Sequence, residues 1–138
     1  MRNNRNSQKG GTLLEAAITL MLFFTLIFGV LEFGRAYNLY QTITNAAREG
    51  ARFSVAPFPG TNNLPTPANV EARVQQYLDS VGARSTTVSV VQNTAGVVNN
   101  TNVVYTTVNV TAPYTFLFFP FGSVTMQTST QMRNETSP

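Results

Sequence analysis

Residues 9–50 read KGGTLLEAAITLMLFFTLIFGVLEFGRAYNLYQTITNAAREG, and the reading of this stretch decides the fold. Between Gly10 and Leu31 the only charged side chain is Glu15, and Leu, Ile, Phe and Ala dominate. An apolar run of about 20 residues is what a helix needs to cross the hydrocarbon core of a bilayer. No turn signal follows. Past Glu32 the sequence becomes polar but stays compatible with a helix as far as Val55, and Pro57 then ends it. The expectation is one long helix, with residues 11–31 in lipid and residues 32–56 continuing outside it.

Upstream of this stretch lies a short basic leader, residues 1–10. Arg2, Arg5 and Lys9 account for the whole net charge of +3, because the remaining basic residues balance the 6 acidic ones. Positive charge beside an apolar span favours the cytoplasmic side. The N-terminus is therefore expected in the cytoplasm and everything beyond Leu31 outside it. A cleaved secretory signal peptide fits less well, since its apolar region spans about 7 to 15 residues and ends at a small-residue cleavage site. Here the run is longer and no such site follows it.

Glu15 needs its own account. Four residues after Gly11, it lies about 6 Å further along the helix, close to the membrane surface. An ionised carboxylate at mid-bilayer costs about 2.5 to 3.5 kcal/mol on insertion scales, and less near the interface. One reading has Glu15 reaching back to the headgroups near the helix N-terminus, where negative charge is favoured. The other has it held for a cationic partner.

A basic tail, a glycine, and then an apolar helix with Glu at the fifth position after that glycine resembles the processing site of type IV pilins. The wider stretch VLEFGRAYNLYQTITNAAREGARFSV, residues 30–55, is similar to the TadE-like family of Tad/Flp pilus-assembly pseudopilins. EFGR at Glu32 to Arg35 and NAAREGAR at Asn45 to Arg52 carry that resemblance. It implies that a prepilin peptidase cuts between Gly10 and Gly11, leaving Gly11 as the new N-terminus. Cleavage after Gly11 would put Glu15 one position too early, so the first glycine is favoured. The resemblance further implies that Glu15 pairs with the terminal amine of a neighbouring subunit, in keeping with the cost of burying an unpaired carboxylate. The implied partners are the membrane, other pilin or pseudopilin subunits, the Tad assembly machinery and the prepilin peptidase. The implied location is the bacterial inner membrane, single-pass, with incorporation into a surface pilus used for attachment as a further step.

Outside the lipid, Phe33, Tyr37, Tyr40, Thr44, Ala47 and Ala51 recur at three- and four-residue spacing and define one face. This face is expected to pack on the following domain, the alternative being that part of it meets other subunits, with Glu32, Arg35, Arg48 and Arg52 lying off it. Gly29, Gly34 and Gly50 each cost about 1 kcal/mol in a helix interior. They suit either bending or close helix contact, and the sequence leaves those two open.

APFPGTNNLPTP, residues 56–67, is a proline-rich break. Thr66 suits an N-cap with Pro67 at the first helical position. Val70, Val74, Tyr77, Leu78 and Val81 then form an apolar face, and Gly82 suits the C-terminal cap. Beyond Arg84, Val and Thr predominate and alternate, which favours strands over residues 86–92, 102–112 and 124–133. Residues 93–100 have turn chemistry. The expected class is α+β and pilin-like: a long N-terminal transmembrane helix packed on a small extracytoplasmic domain, residues 57–138, with one short helix and about three antiparallel strands.

The connection between the last two strands, PYTFLFFPFG, is unusual. It carries Tyr114, Phe116, Leu117, Phe118, Phe119 and Phe121 between prolines. So apolar a segment either folds under the sheet or offers a partner surface.

Composition excludes much chemistry. The chain has no His and no Cys, and Lys9 is the sole lysine. No phosphate-cradling loop, metal-binding motif or nucleophile elbow occurs. No enzyme activity, cofactor or metal is expected, and no basic face remains for nucleic acid. The leading function is a TadE-like pseudopilin or minor pilin in pilus assembly. The alternatives are a membrane-anchored extracytoplasmic binding module and a secreted soluble domain.

Overall fold

The computed structural model describes residues 5–61, 63–83, 85–98, 101–118 and 122–134. Helix α1, Arg5–Val55, is a single run of 51 residues, which at 1.5 Å per residue is about 76 Å long. Its first part is apolar and long enough to cross a membrane, and 0% of that window is buried by the rest of the chain. A core helix of a water-soluble protein would be covered along such a stretch. This one is bare, as an anchor in lipid would be.

From Glu32 onward α1 acquires a packed side, and its phase differs from the one expected. The face turned to the domain runs through Glu32, Ile43, Ala46, Ala47, Gly50 and Ser54, all buried. Ala47 and Ala51 of the expected stripe are buried too, but Phe33, Tyr37 and Tyr40 are exposed. The aromatic positions mislead because spacing defines a face without saying whether it docks, and Phe33, Tyr37 and Tyr40 only border Met126 and Gln127 of the last strand at the rim of the contact. The small residues Ala46, Ala47, Gly50 and Ala51 let the neighbouring elements approach.

Helix α2, Pro67–Ser80, begins and ends as its sequence dictates. Thr66 adopts extended backbone angles, and its hydroxyl oxygen accepts from the Asn69 N–H. At the other end Gly82 has φ +75°. Its N–H reaches the Asp79 carbonyl at 3.1 Å, and the Ala83 N–H reaches Leu78 at 2.9 Å. That pair of bonds is the Schellman arrangement, which places a left-handed residue just past the helix. Val70, Val74 and Leu78 are fully buried. Val81, expected on the same face, is the C-cap and is half exposed, since the chain leaves helical geometry there. Gly50 settles its own ambiguity: a Cβ at this position would collide with Cγ2 of Val74, so the glycine serves close helix contact.

Strands β1 (Thr87–Val98), β2 (Thr101–Thr115) and β3 (Ser123–Arg133) form an antiparallel sheet in the order β1-β2-β3. Thr106, Val108, Val110, Ala112 and Tyr114 alternate along β2 and are buried, so one face of the sheet meets the helices. The expected turn over residues 93–100 is replaced over most of its length by strand. Asn93 instead sits at φ 60°, where the β1–β2 register shifts between Val91 and Thr94. An Asn that tolerates left-handed backbone supports a bulge as readily as a turn. The adjacent Gln92 side chain donates to the Pro65 carbonyl at 2.9 Å and ties the bulge to the proline-rich break. Strand β2 also extends further than expected, through Pro113 and Tyr114. Pairing with β1 ends at Thr111, so Pro113 has only β3 as neighbour, the edge condition in which proline is tolerated.

Candidate functional site

Three groups of residues bear on function: the start of the apolar helix, the point where that helix loses its apolar character, and the aromatic connection after β2. In the first group, Gly10, Gly11 and Glu15 lie on the open surface of α1, and an added Cβ at either glycine meets nothing within 4 Å. The fold leaves this end of the rod uncovered.

The second and third groups are brought together. Tyr114, near the end of β2, places its hydroxyl against Glu32 and donates to Oε1 of that carboxylate; the Glu32 backbone carbonyl lies 3.0 Å away as a second acceptor. The Leu117 backbone N–H donates to the same Oε1 at 3.2 Å. Arg35, one turn along α1, donates to it at 2.8 Å, forming an ion pair. The guanidinium carbon of Arg35 also lies 5.5 Å from the centroid of the Tyr114 ring. Glu32 is 4% exposed and Tyr114 is 4% exposed, so this is a buried, charge-assisted clasp joining helix to sheet. Burial of a carboxylate is tolerable here because several donors converge on it.

The electrostatics follow the geometry. The Tyr114 hydroxyl is the main influence holding the Glu32 carboxyl below its ordinary value. Burial opposes it, while the Leu117 N–H, the Arg35 charge and the Phe118 N–H add to it. Oε2 of Glu32 has no hydrogen-bond partner of ordinary geometry among the described residues. Tyr114 moves the other way: burial and then the bond to Glu32 push its hydroxyl above its ordinary value.

The aromatic connection divides. Tyr114, expected as part of a partner surface, is buried by the clasp and unavailable to a partner. Phe116 is half-buried and meets the Tyr114 ring edge-on at 5.3 Å. Leu117 and Phe118 are exposed. Phe118 also stacks on Phe28 of α1, with centroids 4.7 Å apart and planes 16° apart. Phe119 and Phe121 lie outside the described residues.

Sequence reasoning missed the clasp because its partners are 82 positions apart. One signal was available: Glu32 with Arg35 at i, i+3 marks an ion pair at the edge of an apolar run, where a buried charge has a purpose.

Residues 10–52, spanning Gly10 and Gly11, the apolar run and the clasp residues Glu32 and Arg35, match the family model described as TadE-like protein. The chain carries a TadE-like segment. The match covers the region where EFGR and NAAREGAR placed the resemblance, and it stops just short of the end of α1 at Val55. No curated protein and no solved structure matches the chain. The TadE-like segment is thus the rod, and the sheet and α2 form a head that folds back onto its second half. The family is associated with the Tad pilus and is not a family of enzymes. Among the described residues no cluster of three or more Asp and Glu side chains could hold a metal ion.

Proposed function

We propose that this protein is a pseudopilin or minor pilin that acts in assembly of a Tad/Flp-type pilus. Residues 11–31 anchor it in the bacterial inner membrane, the basic N-terminus lies in the cytoplasm, and the head lies outside. The observation that carries this reading is the bare apolar half of a continuous α1 with the TadE-like match along it. A rod clamped to its head by the Glu32–Tyr114 clasp, yet uncovered along most of its apolar length, is suited to lie in lipid and to pack against similar rods.

On this reading a prepilin peptidase cuts between Gly10 and Gly11. Glu15 then pairs with the freed amine of a neighbouring subunit, which removes the cost of an unpaired carboxylate in lipid. N-terminal sequencing of the mature protein tests the reading. A start at Gly11 supports it; a start at Met1 favours a membrane-retained binding module, and a start beyond Leu31 a secreted domain.

A further inference from the structure

The exposed side chains at the head's apolar connection have a position that says what they touch. Phe118 stacks on Phe28 at 4.7 Å, and Phe28 belongs to the apolar run of α1. Phe28 lies three positions before Leu31, so its ring lies about 5 Å inside the lipid end of the span. Phe118 must share that depth. Beside it, Leu117 is 67% exposed while its backbone N–H is held on Glu32. Leu117 and Phe118 are therefore pinned from above by the clasp and from the side by Phe28. Residues 111–123 contain no charged side chain, and the nearest charges, Glu32 and Arg35, neutralise each other one turn higher.

We propose that Leu117 and Phe118 insert into the outer leaflet of the membrane that holds α1, at the boundary between headgroups and acyl chains. The head thereby gains a second, shallow contact with lipid. Phe and Leu are among the side chains that interfacial segments bury at the headgroup–acyl boundary, and apolar groups buried there add to membrane affinity. The surface is continuous with the lipid-facing surface of α1, which is why lipid rather than a protein groove is its occupant. With the head held at two points, the depth and tilt of α1 in the bilayer are restricted.

This rests on the reading of residues 11–31 as a membrane span, and one experiment separates the two. The chain contains no Trp, so a single introduced Trp reports on its own surroundings. The full chain carrying Leu117→Trp, Leu22→Trp or Val97→Trp is reconstituted into phosphatidylcholine vesicles with acyl chains brominated near the headgroup or near the chain end. Val97 is exposed and pairs with Asn102 at the far end of β2, about 40 Å along the strand from Tyr114. The expected result is that Leu22→Trp is quenched, Val97→Trp is not, and Leu117→Trp is quenched more by bromine near the headgroup than near the chain end. If Leu22→Trp is quenched and Leu117→Trp behaves like Val97→Trp, the loop is dry of lipid and the proposal is overturned while the anchor stands. An unquenched Leu22→Trp overturns the anchor and the proposal together.

Discussion

The Tyr114 hydroxyl donates to the Glu32 carboxylate across 82 positions of chain, and this bond fixes the head at the level where the rod passes from apolar to polar sequence. Tyr114 sits near the end of β2, still paired with Val124 of β3, and continues the buried alternation of Val108, Val110 and Ala112, so its ring faces the helix. Glu32 is the first charged residue after the apolar run. A carboxylate there would ordinarily turn to water; instead it faces the sheet and is met by Tyr114, Leu117 and Arg35.

Removing the hydroxyl tests the clasp. Tyr114→Phe leaves the buried carboxylate without its strongest donor, and an unsatisfied buried group costs more than a satisfied one contributes. The detergent-solubilised variant is expected to melt below the wild type. Adding Glu32→Gln to that background is expected to recover part of the loss, since a neutral amide is easier to bury than a charge. Identical melting of wild type and Tyr114→Phe would show the clasp to be idle.

Acidity should reveal the same bond. The Glu32 carboxyl is held below the ordinary 4.5, so the folded state binds its proton less readily than the unfolded state does. Its stabilising contribution is present above pH 4.5 and is lost as pH falls through the depressed value. The wild-type melting temperature is expected to drop in that acid window more steeply than that of Glu32→Gln. On the alkaline side Tyr114 is raised above 10.0, so its contribution is full below pH 10.0 and fades as pH rises through the raised value. Parallel acid profiles for the two proteins would count against this assignment.

Gly50→Ala pits helix propensity against packing. Alanine gains about 1 kcal/mol in a helix interior, but its methyl meets Val74 Cγ2 across the α1–α2 contact. Overpacking costs about 1 to 3 kcal/mol, and Val74 is fully buried with nowhere to move. Net destabilisation is expected in denaturant titration of the full chain, whereas Gly34→Ala, with open space at its Cβ, is expected to be neutral or stabilising.

Both ends of α2 can be probed without touching the core. Thr66→Ala removes an N-cap and is expected to cost about 1 kcal/mol. Gly82→Ala forces a Cβ into left-handed backbone at φ +75°, at about 1 to 2 kcal/mol. Titrating the two variants separately and together should give additive losses, because the caps lie a full helix apart.

Glu15→Ala addresses assembly rather than folding. The variant is expected to insert and fold as the wild type does, with the same melting curve, yet to reduce pilus formation when it replaces the wild-type copy in cells. Normal piliation would refute the pairing role proposed for Glu15.

Local patterns in the chain announced most of the elements. Thr66, Pro67 and Gly82 marked the ends of α2 because capping depends on a few neighbouring residues. The Val and Thr alternation marked three strands because the period of 2 is intrinsic to extended chain. Less legible were the bulge at Asn93 and the phase of the packed face of α1. An Asn that accepts positive φ serves a turn or a bulge equally, and only the partner strand decides between them. Bulky aromatics at helical spacing look like a core face, yet Phe33, Tyr37 and Tyr40 stay exposed at the rim beside Met126 and Gln127, because which side of a helix docks is set by the elements it meets.

The rod was determined by sequence alone: a run of apolar residues with one early carboxylate, continued by EFGR and NAAREGAR, specifies a long helix with a TadE-like character whatever the head does. The clasp was decided only in three dimensions. Glu32 and Tyr114 are each ordinary in their own neighbourhoods, and neither carries a local sign of the other. Their bond exists because the helix-facing alternation of β2 runs on to Tyr114 and delivers a hydroxyl to the one level of the helix where a carboxylate is waiting, and long-range pairing of that kind is set by the packing of whole elements.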